Sequence, residues 1–190
     1  MDPSPLKNDV RRELRAGRRA TAQARDRDAD DLALTRQGLT LVRSLGLGSG
    51  STITLYEAWA GEPPTAGLLA GLQARGIRVL LPITDPDLDL DWYAAHDPAR
   101  TPLGKNAIGV AELILAPGLA VDHFGTRLGQ GGGCYDKALP RRHPGVKVVT
   151  MLHPGELVEG PLPRQSHDQC VDGVLTCEGV TWLPGATPQD

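Results

Sequence analysis

Aromatic side chains are nearly missing from this chain: one phenylalanine, three tyrosines and three tryptophans make up 4% of its 190 residues. Its core must therefore rest on Leu, Val, Ile and Ala. Cysteines are few and odd in number. Cys134, Cys170 and Cys177 form no Cys-x-x-Cys pair and no zinc spacing, which excludes a disulfide framework and a zinc knuckle. They read as reduced thiols of a cytoplasmic protein. There is no basic excess either. A net charge of −3 argues against a nucleic-acid partner, so any anion site must be local. The longest uncharged apolar run, from Leu113 to Val121, is too short for a bilayer and is broken by Pro117-Gly118. The opening MDPSPLKNDVRRELR lacks the apolar stretch of a secretory signal, so no membrane partner is expected. The remaining composition, 40% hydrophobic and 23% charged, is that of a globular protein. A chain of this length fits one domain over 1–190, expected to be a monomer, and buries roughly 70% of its unfolded surface.

What is abundant is glycine, and it is concentrated. The stretch Asp122 to Lys137 reads DHFGTRLGQGGGCYDK, with five glycines between Gly125 and Gly133. Arg127 stands among them, and Asp136 and Lys137 follow. Glycine admits positive φ and lets the backbone approach a ligand without a Cβ between them. Successive amides in such a loop form an anion-binding nest. A helix starting near Tyr135 would add its positive end. Flexible linkers are also glycine-rich, but they carry Ser and polar residues rather than Arg, Leu, Tyr and Asp. The composition favours a phosphate loop.

The rest of the chain reads as alternating helices and strands. Ser4-Pro5 suits a helix start, as N-cap and first helical residue, with Leu6, Val10 and Leu14 at spacings of four. Lys7, Arg11, Arg15 and Arg18 form one cationic stripe along that helix, and on spacing alone the stripe reads as a solvated face. A second helix is expected over Asp28 to Arg43, ending before Gly46, Gly48 and Gly50. A third runs from a Thr65 cap to Arg75 and stops at Gly76. Strands are expected at Thr52 to Tyr56, Ile77 to Leu81 (stopped by Pro82), Leu88 to Tyr93, Glu112 to Ala116, Val146 to Met151 and Val171 to Thr176, with a loop at Thr84 to Asp87. Apolar strands separated by helices predict an α/β three-layer sandwich, with a mostly parallel central sheet flanked by helices.

The glycine loop does not match the common phosphate motifs. In a G-x-G-x-x-G reading from Gly129 the third glycine falls on Cys134, and from Gly131 it falls on Asp136. A P-loop fails because Ala138 follows Lys137. What remains is Gly-x-Arg-Leu-Gly-x-Gly-x-Gly-x-Tyr-Asp-Lys. This pattern closely resembles the signature of the 5-formyltetrahydrofolate cyclo-ligase (5,10-methenyltetrahydrofolate synthetase) family. Further elements of that family follow in order. Lys7 and Arg11 fit its Lys-x-x-x-Arg, Glu62 and Thr65 its Glu-x-x-Thr, and Pro117, Gly118 and Asp122 its lead into the loop. Leu162-Pro163, His167-Asp168, Val171-Asp172 and Thr176 fit its C-terminal pattern. The resemblance covers roughly residues 6 to 177. Two departures stand out: Cys134 replaces the first of a usual Tyr pair, and Gly109-Val110-Ala111-Glu112 stands where many members carry Glu-Pro.

The resemblance implies a Mg²⁺- and ATP-dependent ligase that closes the ring of 5-formyltetrahydrofolate to 5,10-methenyltetrahydrofolate, releasing ADP and phosphate. It implies ATP binding by Lys7, Arg11, Arg127, Leu128, Gly129, Gln130, Gly131, Gly132, Gly133, Cys134 and Tyr135, with Arg127 and Lys137 as the catalytic cations. Asp136 and Asp168 become the Mg²⁺ ligands. Glu62, Tyr56, Trp92 and Tyr135 become the folate contacts, although Tyr56 and Trp92 suit a core equally well. Asp136 could equally cap the helix after it, Asp168 could only shape a turn, and Glu62 could be an exposed loop charge. His167 reads as a structural partner and Cys134 as a packing residue, since no base stands at a defined spacing to activate it. Two other readings remain open: a sugar-phosphate isomerase or coenzyme-A transferase relative, and a non-catalytic formylfolate-binding protein.

Overall fold

A computed structural model describes residues 3–184, with side chains from Leu6 onward. The chain begins with two long helices, α1 (Pro3–Ala24) and α2 (Arg27–Ser44). The expected Ser4 cap falls outside the described side chains. Asp26 separates the helices and caps α2, its carboxylate accepting from the amides of Asp28 and Ala29 at 3.0 and 3.1 Å.

Next come β1 (Thr52–Thr54), α3 (Ala66–Gln73), β2 (Arg78–Thr84), β3 (Leu90–Ala94), a 3₁₀ turn at Lys105–Val110 and β4 (Leu113–Pro117). Then follow β5 (Ala120–Asp122), β6 (Arg127–Leu128), α4 (Cys134–Ala138), a 3₁₀ turn at Leu139–Arg141 and β7 (Lys147–Met151). Last are β8 (Leu157–Val158), β9 (Gly173–Thr176) and β10 (Gly179–Trp182). Seven strands form one sheet in the order β10-β9-β7-β4-β1-β2-β3, and β6-β5-β8 form a smaller one. Within the large sheet β9, β7, β4, β1 and β2 pair in parallel, while the edges β10 and β3 pair antiparallel.

The central strands are covered on both sides. Along β4, Leu113 and Leu115 join a cluster with Leu34, Leu41, Leu68 and Leu72 of α2 and α3. Ile114 and Ala116 point the other way, toward Trp92, Ile108, Tyr135, Ala138 and Leu139. This alternation is the period of a strand, and burial on both faces is why β4 reads as unbroken apolar residues. The expected α/β layering is present.

Local expectations needed correction at two places. Pro82 does not stop β2, which runs to Thr84 and pairs Pro82 with Trp92. The Trp92 carbonyl accepts from Leu103 N on the outer side, so that pair exchanges no ladder bonds and needs no donor from proline. Thr65 makes no side-chain cap on α3. Its hydroxyl instead donates to Tyr56 O at 2.8 Å, and Asp31 of α2 accepts from Gly67 N at 3.1 Å. Strands β5, β6, β8 and β10 had no signal in the sequence, because two- to four-residue strands carry too little periodicity to detect.

Candidate active site

Beyond the C-terminal ends of β1, β2 and β4 lies a cleft of about 950 Å³. That is where parallel sheets generally bind ligands. Its lining includes one face of α1, the stretch 56–62 after β1, the stretch 117–119 after β4, the stretch 127–136 from β6 into α4, and the stretch 165–168.

The glycine loop forms one wall. Gly131 (φ 114°) and Gly133 (φ 67°) sit in the left-handed half of backbone space, and a Cβ on Gly129 would come within 2.9 Å of Arg127 Nη1. The loop carbonyls turn toward α1. Arg11 Nε donates to Gly129 O at 3.1 Å and Arg15 Nη2 to Gln130 O at 2.6 Å. Among the described residues no internal hydrogen bond engages the amides of Gln130, Gly131, Gly132 or Gly133. A set of unengaged amides ringed by guanidinium groups suits an anion. The helix expected after the loop is α4, but at five residues it adds little dipole.

Arg127 is buried behind this loop. Its Nη1 donates to Pro117 O at 3.3 Å and its Nη2 to Asp136 Oδ1 at 3.1 Å, and its guanidinium lies 5.6 Å from the Tyr135 ring centre. Nε has no partner.

The cationic stripe of α1 faces inward, against the reading as a solvated face. Lys7 is only 4% exposed and Arg18 6%, whereas Leu6 on the expected apolar spine is 55% exposed. Lys7 pairs with Asp168 and donates to Gln165 Oε1 at 3.1 Å. Arg18 grips Glu156, Nε to Oε1 at 2.7 Å. Periodicity shows that these cations share a face, but not what the face meets. Burial, followed by the charge of Arg15, lowers the pKa of Arg11.

Two carboxylates face the cleft near these cations. Asp136 Oδ1 accepts from Arg127 and from Gln169 N at 3.0 Å. Asp168 Oδ2 accepts from Lys7 and from Gln165 N at 2.6 Å. Burial pushes the Asp168 pKa up, but the Lys7 and Gln165 hydrogen bonds outweigh it and the net direction is downward. In each carboxylate the other oxygen accepts no hydrogen bond among the described residues; His167 Nε2 stands 3.6 Å from Asp168 Oδ1. Mg²⁺ takes one or two carboxylates together with phosphate oxygens and waters, and this donor set fits it. No group of three or more His, Cys, Asp or Glu converges among the described residues, so a bound ligand's oxygens would complete the shell.

The far wall carries Tyr56 and Glu62. The Glu62 carboxylate accepts from Trp59 N at 2.9 Å, and burial raises its pKa above the ordinary value. Burial likewise lifts the phenols of Tyr56 and Tyr135, whose hydroxyls have no partner among the described residues.

Of the residues singled out from sequence, two lie elsewhere. Trp92 is 0% exposed, sits in the core edge-on to Tyr135, and does not reach the cleft. Lys137 points away from the cleft and donates to Asp87 O at 2.6 Å. Neighbours on a helix face about 100° apart, and at Lys137 the turn of α4 has carried the side chain off the wall that Cys134, Tyr135 and Asp136 line. The remaining ATP, folate and metal candidates all line the cleft, Leu128 and Cys134 included. The sequence reading did not single out Trp59, Arg19 or Gln165 as lining residues. Arg19 extends the stripe by one position, whereas Trp59 and Gln165 carry no pattern of their own.

Fold and site together define an α/β protein with a cation-lined cleft at the carboxyl edge of a parallel sheet. Residues 3–177 match the model of the 5-formyltetrahydrofolate cyclo-ligase family. A 5-formyltetrahydrofolate cyclo-ligase of Mycolicibacterium smegmatis is 32% identical over 188 residues, covering 90% of this chain and 93% of that protein. One from Escherichia coli is 28% identical over 141 residues, covering 66% and 77%. The solved structure of a 5,10-methenyltetrahydrofolate synthetase from Mycoplasma pneumoniae superposes with a TM-score of 0.73 at 19% identity, over 93% of this chain and 99% of that one. That of Aquifex aeolicus gives 0.71 at 23% identity, over 94% and 93%. The chain belongs to the 5-formyltetrahydrofolate cyclo-ligase family, and is thus an enzyme of the ligase class. Among the described residues no helix is long and apolar enough to cross a membrane.

Proposed function

We propose that this protein converts 5-formyltetrahydrofolate to 5,10-methenyltetrahydrofolate, using ATP and Mg²⁺ and releasing ADP and phosphate. One observation carries the reading. Among the described residues the amides from Gln130 to Gly133 are unengaged, and these residues line a cleft that brings Lys7, Arg11 and Arg127 together with Asp136 and Asp168.

The chemical difficulty is that an amide-like formyl oxygen is a poor leaving group. Phosphorylation of that oxygen by ATP makes it a good one. N10 of the folate then bonds to the formyl carbon and loses its proton, and the oxygen departs with phosphate. Phosphoryl transfer demands mainly positioning and charge neutralisation, with little covalent work for side chains. The loop from Leu128 to Tyr135 cradles the phosphates. Lys7 and Arg11 neutralise their charge from α1. Arg127 is the catalytic cation, held from behind by Asp136 and Pro117 O. Asp136 and Asp168 would hold Mg²⁺. That ion supplies charge neutralisation at the phosphates when bound. In this resting arrangement each carboxylate is matched to a cation, and nucleotide binding would hand the cations to phosphate and the carboxylates to metal.

At the other wall, Glu62 accepts from the donor-rich edge of the pterin, and Tyr56 and Tyr135 flank the ring. The protein works as a cytoplasmic monomer, residues 1–190 acting as one unit on small molecules, without a nucleic-acid or membrane partner. The test follows methenyltetrahydrofolate absorbance with formylfolate, with and without ATP and Mg²⁺. Folded protein giving no ATP-dependent signal refutes the assignment.

A further inference from the structure

Among the described residues three aromatic side chains line the cleft, and two of them are almost wholly buried. Tyr56 and Tyr135 are buried at 4% and 7% exposure, with their hydroxyls enclosed. The third is Trp59, which is 81% exposed. A lone exposed aromatic on a protein surface needs no explanation. Trp59 differs because it borders the cleft and because its backbone is fixed there. Its amide donates to the Glu62 carboxylate at 2.9 Å, and its carbonyl accepts from Glu62 N at 3.0 Å. The two residues thus close one tight turn. The large apolar ring stands within three positions of the buried carboxylate and at the mouth of the same wall. The glycine loop and its cations lie on the opposite wall.

We propose that Trp59 is a positioning residue for the folate: its indole covers the ring system whose polar edge Glu62 accepts. The inference rests on the folate reading of that wall. A folate presents flat, conjugated rings, and a flat indole face contributes both buried area and an offset-stacking preference. The other two aromatic residues lining the cleft, Tyr56 and Tyr135, are far less exposed than Trp59. The role is one of binding and orientation. Trp59 touches no phosphate-binding residue by hydrogen bond, and its amide bond to Glu62 is a main-chain one that any residue but proline preserves. Replacing the exposed ring therefore leaves the core and the Glu62 turn in place.

The test measures binding of 5-formyltetrahydrofolate and of ATP separately by titration calorimetry on the full chain, together with steady-state kinetics. Trp59→Ala is expected to weaken formylfolate binding about tenfold and to raise KM for formylfolate correspondingly. The KM for ATP and the kcat should stay within about twofold, a split that loss of the fold or of the phosphate site would not produce. Trp59→Phe should recover most of the affinity, and Trp59→Leu should recover less. Formylfolate binding by Trp59→Ala equal to that of the unaltered chain overturns the proposal while leaving the folate reading intact. So does a loss that falls on ATP instead. An unaltered chain that binds ATP but no formylfolate overturns both.

Discussion

Helices α1 and α2 are consecutive and of similar length, yet they are held by opposite means. Helix α2 buries Leu34, Leu41 and Val42 against the sheet and is capped by Asp26. Helix α1 buries Lys7 and Arg18 and leaves Leu6 in water. Its seat is made of directional contacts to Asp168, Gln165, Gly129 O, Gln130 and Glu156. Apolar contact is tolerant of small shifts, whereas a buried charge without its partner is costly. The difference teaches that α2 serves the core and α1 serves the cleft, with its position set by the groups that would meet substrate.

The sharpest way to break this contrast is to remove one partner on each side. Glu156→Ala leaves the Arg18 guanidinium buried without its counter-charge, expected to cost ~3–5 kcal/mol. Leu34→Ala opens a cavity in the core, expected to cost ~2–5 kcal/mol. The costs overlap but their location should not. Hydrogen exchange should show α1 amides opening first in Glu156→Ala, and α2 opening with the sheet in Leu34→Ala. Equal loosening of both helices in both variants would erase the distinction.

Within the cleft the expected effects are on rate rather than stability. Asp136→Asn keeps the shape but loses the charge that Mg²⁺ and Arg127 need. Turnover should fall by about two to three orders of magnitude with an unchanged thermal transition. Unaltered kinetics would remove Asp136 from the metal site. Arg127→Lys keeps a charge but loses the forked geometry that reaches both Pro117 O and Asp136, and a drop of about ten- to hundredfold in kcat/KM is expected.

The smallest effect expected is a pH dependence on the folate wall. Burial outweighs the Trp59 hydrogen bond and the charges of Arg18 and Arg27, and the net direction of the Glu62 pKa is upward. Such a carboxyl costs stability when ionised and is relieved when protonated, so its contribution improves as pH falls. Its ability to accept from a pterin runs the other way. Formylfolate affinity should fall on acidification, beginning above the ordinary glutamate value of about 4.3. Binding titrated by calorimetry across mildly acid pH checks this, and Glu62→Gln should flatten the profile. Asp168 has the opposite sign. Its pKa is lowered, so the Lys7 contact persists until the pH drops below the ordinary carboxylate range.

The glycine loop was legible because its chemistry is local: positive φ, close backbone approach and flanking charge all depend on neighbours in the chain. The central strands were legible for a similar reason, since two-sided burial shows as an unbroken apolar run. Trp92 and Lys137 were misplaced because residue type does not reveal direction. An indole suits a core as well as a ligand, and a lysine one position after Asp136 turns to another side of the helix. Trp59 went unnoticed because a single tryptophan has no periodicity.

Sequence by itself determined the layered fold and the family, because patterns of two, of 3.6 and of clustered glycine follow from backbone geometry alone. Only the tertiary structure decided which face of α1 is buried, which of the scarce aromatics meets the cleft and which acids pair with which cations. Those outcomes depend on long-range packing, where residues more than a hundred positions apart, such as Lys7 and Asp168, pair with each other.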